Sequence, residues 1–138
     1  MTDVVELTLD GTRVTAEDGE LLVHATARHG TFVPTLCHDD HLEPYGGCRV
    51  CMVDVEGERR PVPACATRVR EGMVVSTNGE SGRLRKTLTE MLLSEHLNAD
   101  PAGRPNELVD LAERKPYENR NRLMGIDSDA CILCNRCV

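Results

Sequence analysis

A chain of 138 residues is one domain's worth of sequence, long enough to bury a core without disulfide staples. Its 16 Lys and Arg against 23 Asp and Glu leave a net charge of −7, and only 2% of its residues are aromatic, none of them Trp. That balance excludes a nucleic-acid binder built on basic patches and stacking rings, and it disfavours an anionic membrane surface as partner.

The first residues, Met1-Thr2-Asp3-Val4-Val5-Glu6, lack the basic stretch and apolar run of a secretory signal. No segment approaches the roughly 18 consecutive apolar residues of a membrane span. A cytoplasmic chain is expected. Val4 to Leu9 reads as a strand, Asp10-Gly11 as a hairpin turn, and Thr12 to Thr15 as the returning strand. Asp18 then caps a short expected helix over residues 21–29, with basic residues in its last turn and Gly30 as its stop.

Residues 34–49 hold Pro, Gly, Asp and His without periodicity and read as a loop. Arg49 to Val55 alternates as a strand, Glu56-Gly57-Glu58 turns, a shorter extended piece covers Pro61 to Thr67, and Gly72 to Thr77 is the last strand. From Ser81 to about Leu97 a helix is expected, with Leu84, Leu88, Met91 and Leu92 forming one apolar stripe. Asn98 to Arg122 turns to Pro, Asn, Arg and Glu, a linker in which only Glu107 to Arg114 looks helical. The fold class is therefore α+β: a small mixed sheet with a helix across it, then a helix and an irregular linker. Three stretches follow from this order: a domain over 1–80, helix and linker over 81–125, and a terminal motif over 126–138.

Seven cysteines, at 37, 48, 51, 65, 131, 134 and 137, are the compositional outlier. An odd count in a chain expected in a reducing compartment argues against a disulfide framework and for metal or cluster ligation. Cys37, Cys48, Cys51 and Cys65 are spaced C-x10-C-x2-C-x13-C. The close pair brings two thiolates to one turn, and the others arrive from a longer loop and a separate strand. A [2Fe-2S] cluster takes four thiolates, two per iron. Gly46-Gly47, directly before Cys48, let the backbone approach an inorganic core and offer N–H groups to its sulfides. Three rivals stay open. A zinc ribbon pairs two C-x-x-C knuckles, and only one occurs here. A disulfide with free thiols meets the compartment argument. A Rieske centre needs two His ligands, but His38 directly follows Cys37, the wrong spacing, and His38 and His41 read as solvated loop residues.

The runs Pro34-Thr35-Leu36-Cys37, Gly46-Gly47-Cys48-Arg49-Val50-Cys51-Met52-Val53 and Pro63-Ala64-Cys65-Ala66-Thr67 resemble a known ferredoxin-like region. It opens the large iron–sulfur subunit of respiratory NADH dehydrogenase, the small diaphorase subunit of NAD-reducing hydrogenases and the catalytic subunit of NAD-dependent formate dehydrogenases. The likeness covers about residues 4 to 97, and the neighbours of all four cysteines fit. The resemblance implies a β-grasp fold with a [2Fe-2S] cluster on Cys37, Cys48, Cys51 and Cys65. It also implies electron transfer within a multi-subunit NAD-linked oxidoreductase, most like formate dehydrogenase, beside flavin- or NAD-bearing and other iron–sulfur partners. No catalytic residue is expected, because the chemistry is one-electron transfer at iron.

In many relatives the helix matching Ser81 to Leu97 leads to a second site, where one His and three Cys hold a [4Fe-4S] cluster. His96 matches that His, yet no cysteine lies between it and Cys131, so this cluster is expected to be missing. His96 then reads as a helix-end residue favoured by the dipole. Cys131, Cys134 and Cys137 are the first three ligands of the bacterial ferredoxin run C-x2-C-x2-C-x3-C-P. The expectation is a longer protein cut inside a [4Fe-4S] motif, its three thiols ligands by resemblance and vacant in this chain alone. A stand-alone zinc-binding or redox-sensing module is the alternative of a different class.

Overall fold

The computed structural model describes residues 3–96 and 107–114. It starts with the Asp-Gly hairpin. Strands β1 (Val4–Leu9) and β2 (Thr12–Glu17) pair antiparallel with Leu9 opposite Thr12. Asp10 and Gly11 both adopt left-handed backbone, at φ 48° and 84°, the geometry a two-residue turn needs to match strand twist. Along β1 the side chains alternate as the pleat demands. Val5, Leu7 and Leu9 are buried, and Val4 and Glu6 face water.

Helix α1 (Leu22–Arg28) follows, and its start differs from the expectation. The capping position is Leu21, which is extended and offers no side-chain cap, while the Asp18 backbone N–H donates to the Asp3 carbonyl. Tertiary pairing fixes the entry instead: Leu21 bridges Arg68, Leu22 N–H donates to the Thr67 carbonyl, and Val69 N–H to that of Glu20. The Glu20 carboxylate reaches the Glu17 N–H at 2.8 Å and Arg28 Nη2 at 2.6 Å, joining the two ends of the helix. Gly30, at φ 73°, ends the element as expected.

The remaining strands are shorter than their sequence patterns. They are β3 (Met52–Val55), β4 (Val62–Pro63) and β5 (Val74–Ser76), with a 3-10 turn over Ala64–Ala66 after β4. The expected strand over residues 49–55 loses its first part because Arg49 takes φ 56°, which no strand accommodates. The expected extended piece over 61–67 loses Ala64–Ala66 to the turn. The sheet order is β2-β1-β5-β3-β4, with β1 parallel to β5 and the other neighbours antiparallel. This mixed five-stranded sheet with helices is the α+β arrangement expected. Its core takes Leu7 and Leu9 from β1, Leu22 and Ala25 from α1, Val53 from β3 and Val75 from β5, all at most 4% exposed.

Helix α2 (Glu80–His96) carries its deepest burial on a different face from the one expected. Leu84, Leu88, Met91 and Leu92 are half-buried, whereas Ser81, Arg85, Thr89 and Leu93, spaced four apart, are buried. Two of these polar residues are held by acceptors of the first compact unit, Met1–Arg85. Ser81 N–H and Oγ both donate to the Asp54 carboxylate, at 3.1 and 2.8 Å from Oδ2, so a strand carboxylate caps the helix. Arg85 donates from Nη1 to the Met52 carbonyl at 2.9 Å and from Nη2 to that of Thr77. Among the described residues no buried side-chain nitrogen or oxygen lacks a partner.

The second unit, Lys86–Val138, includes α3 (Glu107–Arg114), the one stretch of the linker expected to be helical, in which Leu111 is buried. The rest of the linker and residues 126–138 lie outside the described residues. Among the described residues no helix is long and apolar enough to cross a membrane.

Candidate metal centre

Three of the four N-terminal cysteines sit on the loop that links α1 to β3, and the fourth sits in the turn after β4. Cys37 is exposed, Cys48 half-buried, and Cys51 and Cys65 are buried at 1% and 2% exposure. Strand pairing brings the two deep thiols together. β3 and β4 run antiparallel with Met52 opposite Pro63, and Ala64 N–H donates to the Cys51 carbonyl at 3.0 Å. The turn Ala64–Ala66 then aims Cys65, and Thr67 Oγ1 closes it on the Pro63 carbonyl at 2.8 Å.

Each of the other three thiols acts on Cys65. Burial pushes the Cys65 thiol up to about 12, reinforced by a hydrogen bond with Cys51 and by the charges of Cys51, Cys37 and Cys48. Burial also raises Cys48, with the neighbouring Cys37 adding to the effect. At Cys37 burial works in the same upward sense, yet the thiol ends below its ordinary value. The backbone N–H groups of Cys48 and Gly47 point at it, that of Cys48 at 3.4 Å from Sγ. Thiols set this close in a partly dry site resist ionising together, and a cationic centre is what would let all four do so.

The loop geometry fits that need. Gly46 has φ 62°, the left-handed region that favours glycine, and a Cβ there would meet Pro63 Cγ at 3.4 Å and Ala66 Cβ at 3.5 Å, ordinary contact, so the backbone rather than space selects the residue. Arg49, also left-handed, reverses the chain between Cys48 and Cys51. Gly46→Ala is expected to cost about 1–2 kcal/mol from left-handed strain. Gly47→Ala is expected to cost less. Its Cβ meets only the Tyr45 ring, which is 83% exposed and can swing away. Urea midpoints of the two variants check the order, and equal midpoints would count against the left-handed strain at position 46.

His41 is a solvated loop residue, its side chain 94% exposed. His38 is not. Its side chain is 10% exposed and its Nε2 lies 3.1 Å from Asp40 Oδ1 and 3.4 Å from His24 Nε2. Neither His24 nor Asp40 stands out in the sequence, since only the fold sets α1 beside the 37–40 loop. The His24 hydrogen bond, with the charges of both imidazoles, holds the Asp40 carboxyl below its usual range. The side chain of His96 and the residues Cys131, Cys134 and Cys137 lie outside the described residues. An open hollow of about 310 Å³, lined by Val55, Glu56 and residues 70–74, contains no cysteine.

A mixed β-grasp sheet with a helix across it and four converging thiols on two adjoining loops defines a [2Fe-2S] ferredoxin-like domain. The model of the "2Fe-2S iron-sulfur cluster binding domain" family matches residues 2–80, and the chain belongs to that family. It is 33% identical to the NADPH-Fe(3+) oxidoreductase subunit alpha of Geobacter sulfurreducens, over 98% of this chain and 18% of that protein. It is 32% identical to the mitochondrial NADH-ubiquinone oxidoreductase 78 kDa subunit of Neurospora crassa, over 97% and 21%. It is 33% identical to the NAD-reducing hydrogenase HoxS subunit gamma of Cupriavidus necator, over 97% and 64%. The chain thus spans about a fifth of the length of the first two relatives and under two thirds of the third. Among solved structures, a chain of an NAD+-reducing [NiFe]-hydrogenase in its H2-reduced state matches with a TM-score of 0.66 and 30% identity, over 80% of this chain and 48% of that one. The resemblance read from the cysteine motifs is borne out at the level of this family.

Proposed function

We propose that Cys37, Cys48, Cys51 and Cys65 together hold a [2Fe-2S] cluster, and that the chain carries electrons inside a multi-subunit NAD-linked oxidoreductase. The observation that carries this reading is that Cys51, Cys37 and Cys48 all act on the buried Cys65 thiol, in a domain of the 2Fe-2S family. When bound, such a cluster accepts and returns one electron at a time. The protein's part is to bind, tune and insulate. Cys51 and Cys65 anchor from the core, where water is excluded, while exposed Cys37 marks the face open to a partner. The N–H groups of Gly47 and Cys48 supply hydrogen bonds toward that face, the kind of contact that sets reduction potential.

The domain plan belongs to the same proposal: the cluster domain over 1–80, helix and linker over 81–125, and over 126–138 the start of a [4Fe-4S] motif. Cys131, Cys134 and Cys137 supply ligands to it in a longer or complexed form. Partners are flavin- or NAD-bearing and iron–sulfur subunits; the relatives are named as subunits of NADPH-, NADH- or NAD-linked enzymes, and thiol ligands suit a reducing compartment such as the cytoplasm. The likeness to formate dehydrogenase rests on the motifs alone.

The test is iron and acid-labile sulfide analysis of anaerobically purified protein, with electron spin resonance after reduction. About two irons and two sulfides per chain with one reduced-state signal are expected. Roughly six irons would add a cluster on the terminal cysteines. Zinc without sulfide would overturn the electron-transfer reading.

A further inference from the structure

We propose that His24, His38 and Asp40 form a second metal site, distinct from the cysteine set, that takes a divalent transition cation of the zinc class through two imidazole nitrogens and one carboxylate oxygen. The three ligand atoms face one another as a small triangle. His24 Nε2 lies 2.8 Å from Asp40 Oδ1, His38 Nε2 lies 3.1 Å from the same oxygen, and the two nitrogens are 3.4 Å apart. These lengths form a compressed face of a coordination tetrahedron, whose edges are about 3.3 Å at zinc distances. A centre about 2.0–2.1 Å from all three atoms, the usual zinc distance to nitrogen and oxygen, sits about 1 Å outside their plane. One carboxylate oxygen thus faces both ring nitrogens, which a bound cation would draw together through the same three atoms.

The ligands are held by structure rather than by chance contact. His24 projects from α1, whose neighbouring residues Leu22, Val23, Ala25 and Thr26 are buried and fix the helix. Asp39 shapes the turn that presents Asp40: its Oδ1 accepts from the His41 N–H at 2.8 Å and its carbonyl from Leu42 N–H at 3.1 Å. His38 is tucked in at 10% side-chain exposure, while His24 and Asp40 are 43% and 70% exposed. The metal would therefore enter from solvent and keep its fourth position open to water or to a donor from a partner, the arrangement of three-ligand zinc sites. The two-nitrogen, one-oxygen donor set favours zinc and its neighbours over calcium or magnesium, which prefer all-oxygen shells.

The test is zinc binding by the full chain as purified, compared with His24→Ala and Asp40→Asn at one fixed pH near 7.5. Bound zinc is counted by elemental analysis after dialysis at fixed free zinc. The cysteines contribute equally to all three proteins, so the comparison isolates this site. One zinc fewer in each variant, or an affinity for that equivalent weaker by about tenfold or more, is expected, with iron and visible spectrum unchanged. Equal zinc number and affinity in all three proteins would overturn the site. Because both substitutions are at exposed residues, loss of fold does not supply the difference. The comparison is read from zinc whether or not iron is present, so it stands or falls apart from the cysteine assignment.

Discussion

Cys65→Ala is expected to remove the cluster, lowering iron and acid-labile sulfide per chain by about tenfold or more and abolishing the reduced-state resonance. Cys65 is 2% exposed, and its thiol is pushed up to about 12 by burial and then by Cys51 and the charges of the other two cysteines. Left alone at neutral pH it stays protonated, and only a cationic centre makes its thiolate worth forming in that position. Removing it leaves three thiols for two irons that need four, and no other cysteine among the described residues can substitute. Ala66, the next residue, is exposed, and Ala66→Ser is expected to leave iron content unchanged. Iron and sulfide analysis of both variants decides the matter. Wild-type cluster content in Cys65→Ala would remove Cys65 from the ligand set.

How much of this was legible in the sequence depends on the range over which each feature is determined. The hairpin was readable because Asp10-Gly11 dictates its own backbone, and the two strands need only each other. The cysteine spacing was readable because ligand geometry constrains residue type directly. Glu107–Arg114 stood out because its helical period is local, and α3 has those bounds. What failed was set by distant neighbours. The start of α1 is fixed by Thr67 and Arg68 rather than by Asp18. The strand expected from Arg49 was cut back by the left-handed backbone at that residue, between Cys48 and Cys51, which overrides alternation. His38 read as solvated because its partner His24 lies fourteen positions earlier, on a helix whose placement beside the loop no local pattern reveals. The apolar period of α2 pointed to its leucines, since a sequence pattern scores Ser81 and Arg85 as polar and cannot see their acceptors on β3.

That last residue leads to the second large effect. Arg85→Met is expected to destabilise the chain by about 2–4 kcal/mol, seen as a lower urea midpoint at unchanged slope. Arg85 is 8% exposed, and its guanidinium holds two carbonyls from different parts of the sheet: Met52, the first residue of β3, and Thr77, directly after β5. A hydrogen bond from a charged donor contributes about 1.5–3 kcal/mol, and methionine fills the stem's volume while leaving both acceptors without the donor. Arg85→Lys is expected to recover less than half of the loss, because one ammonium cannot span two acceptors as the planar fork does. Met52 follows Cys51 directly, so loosening this clamp frees the backbone that sets a buried thiol. Iron release on mild heating should therefore begin earlier in Arg85→Met than in the parent chain. A variant with the parent's urea midpoint and iron retention would show that the clamp is incidental. The expected pairing of the two losses would show that the polar face of α2 fixes the cysteine loop.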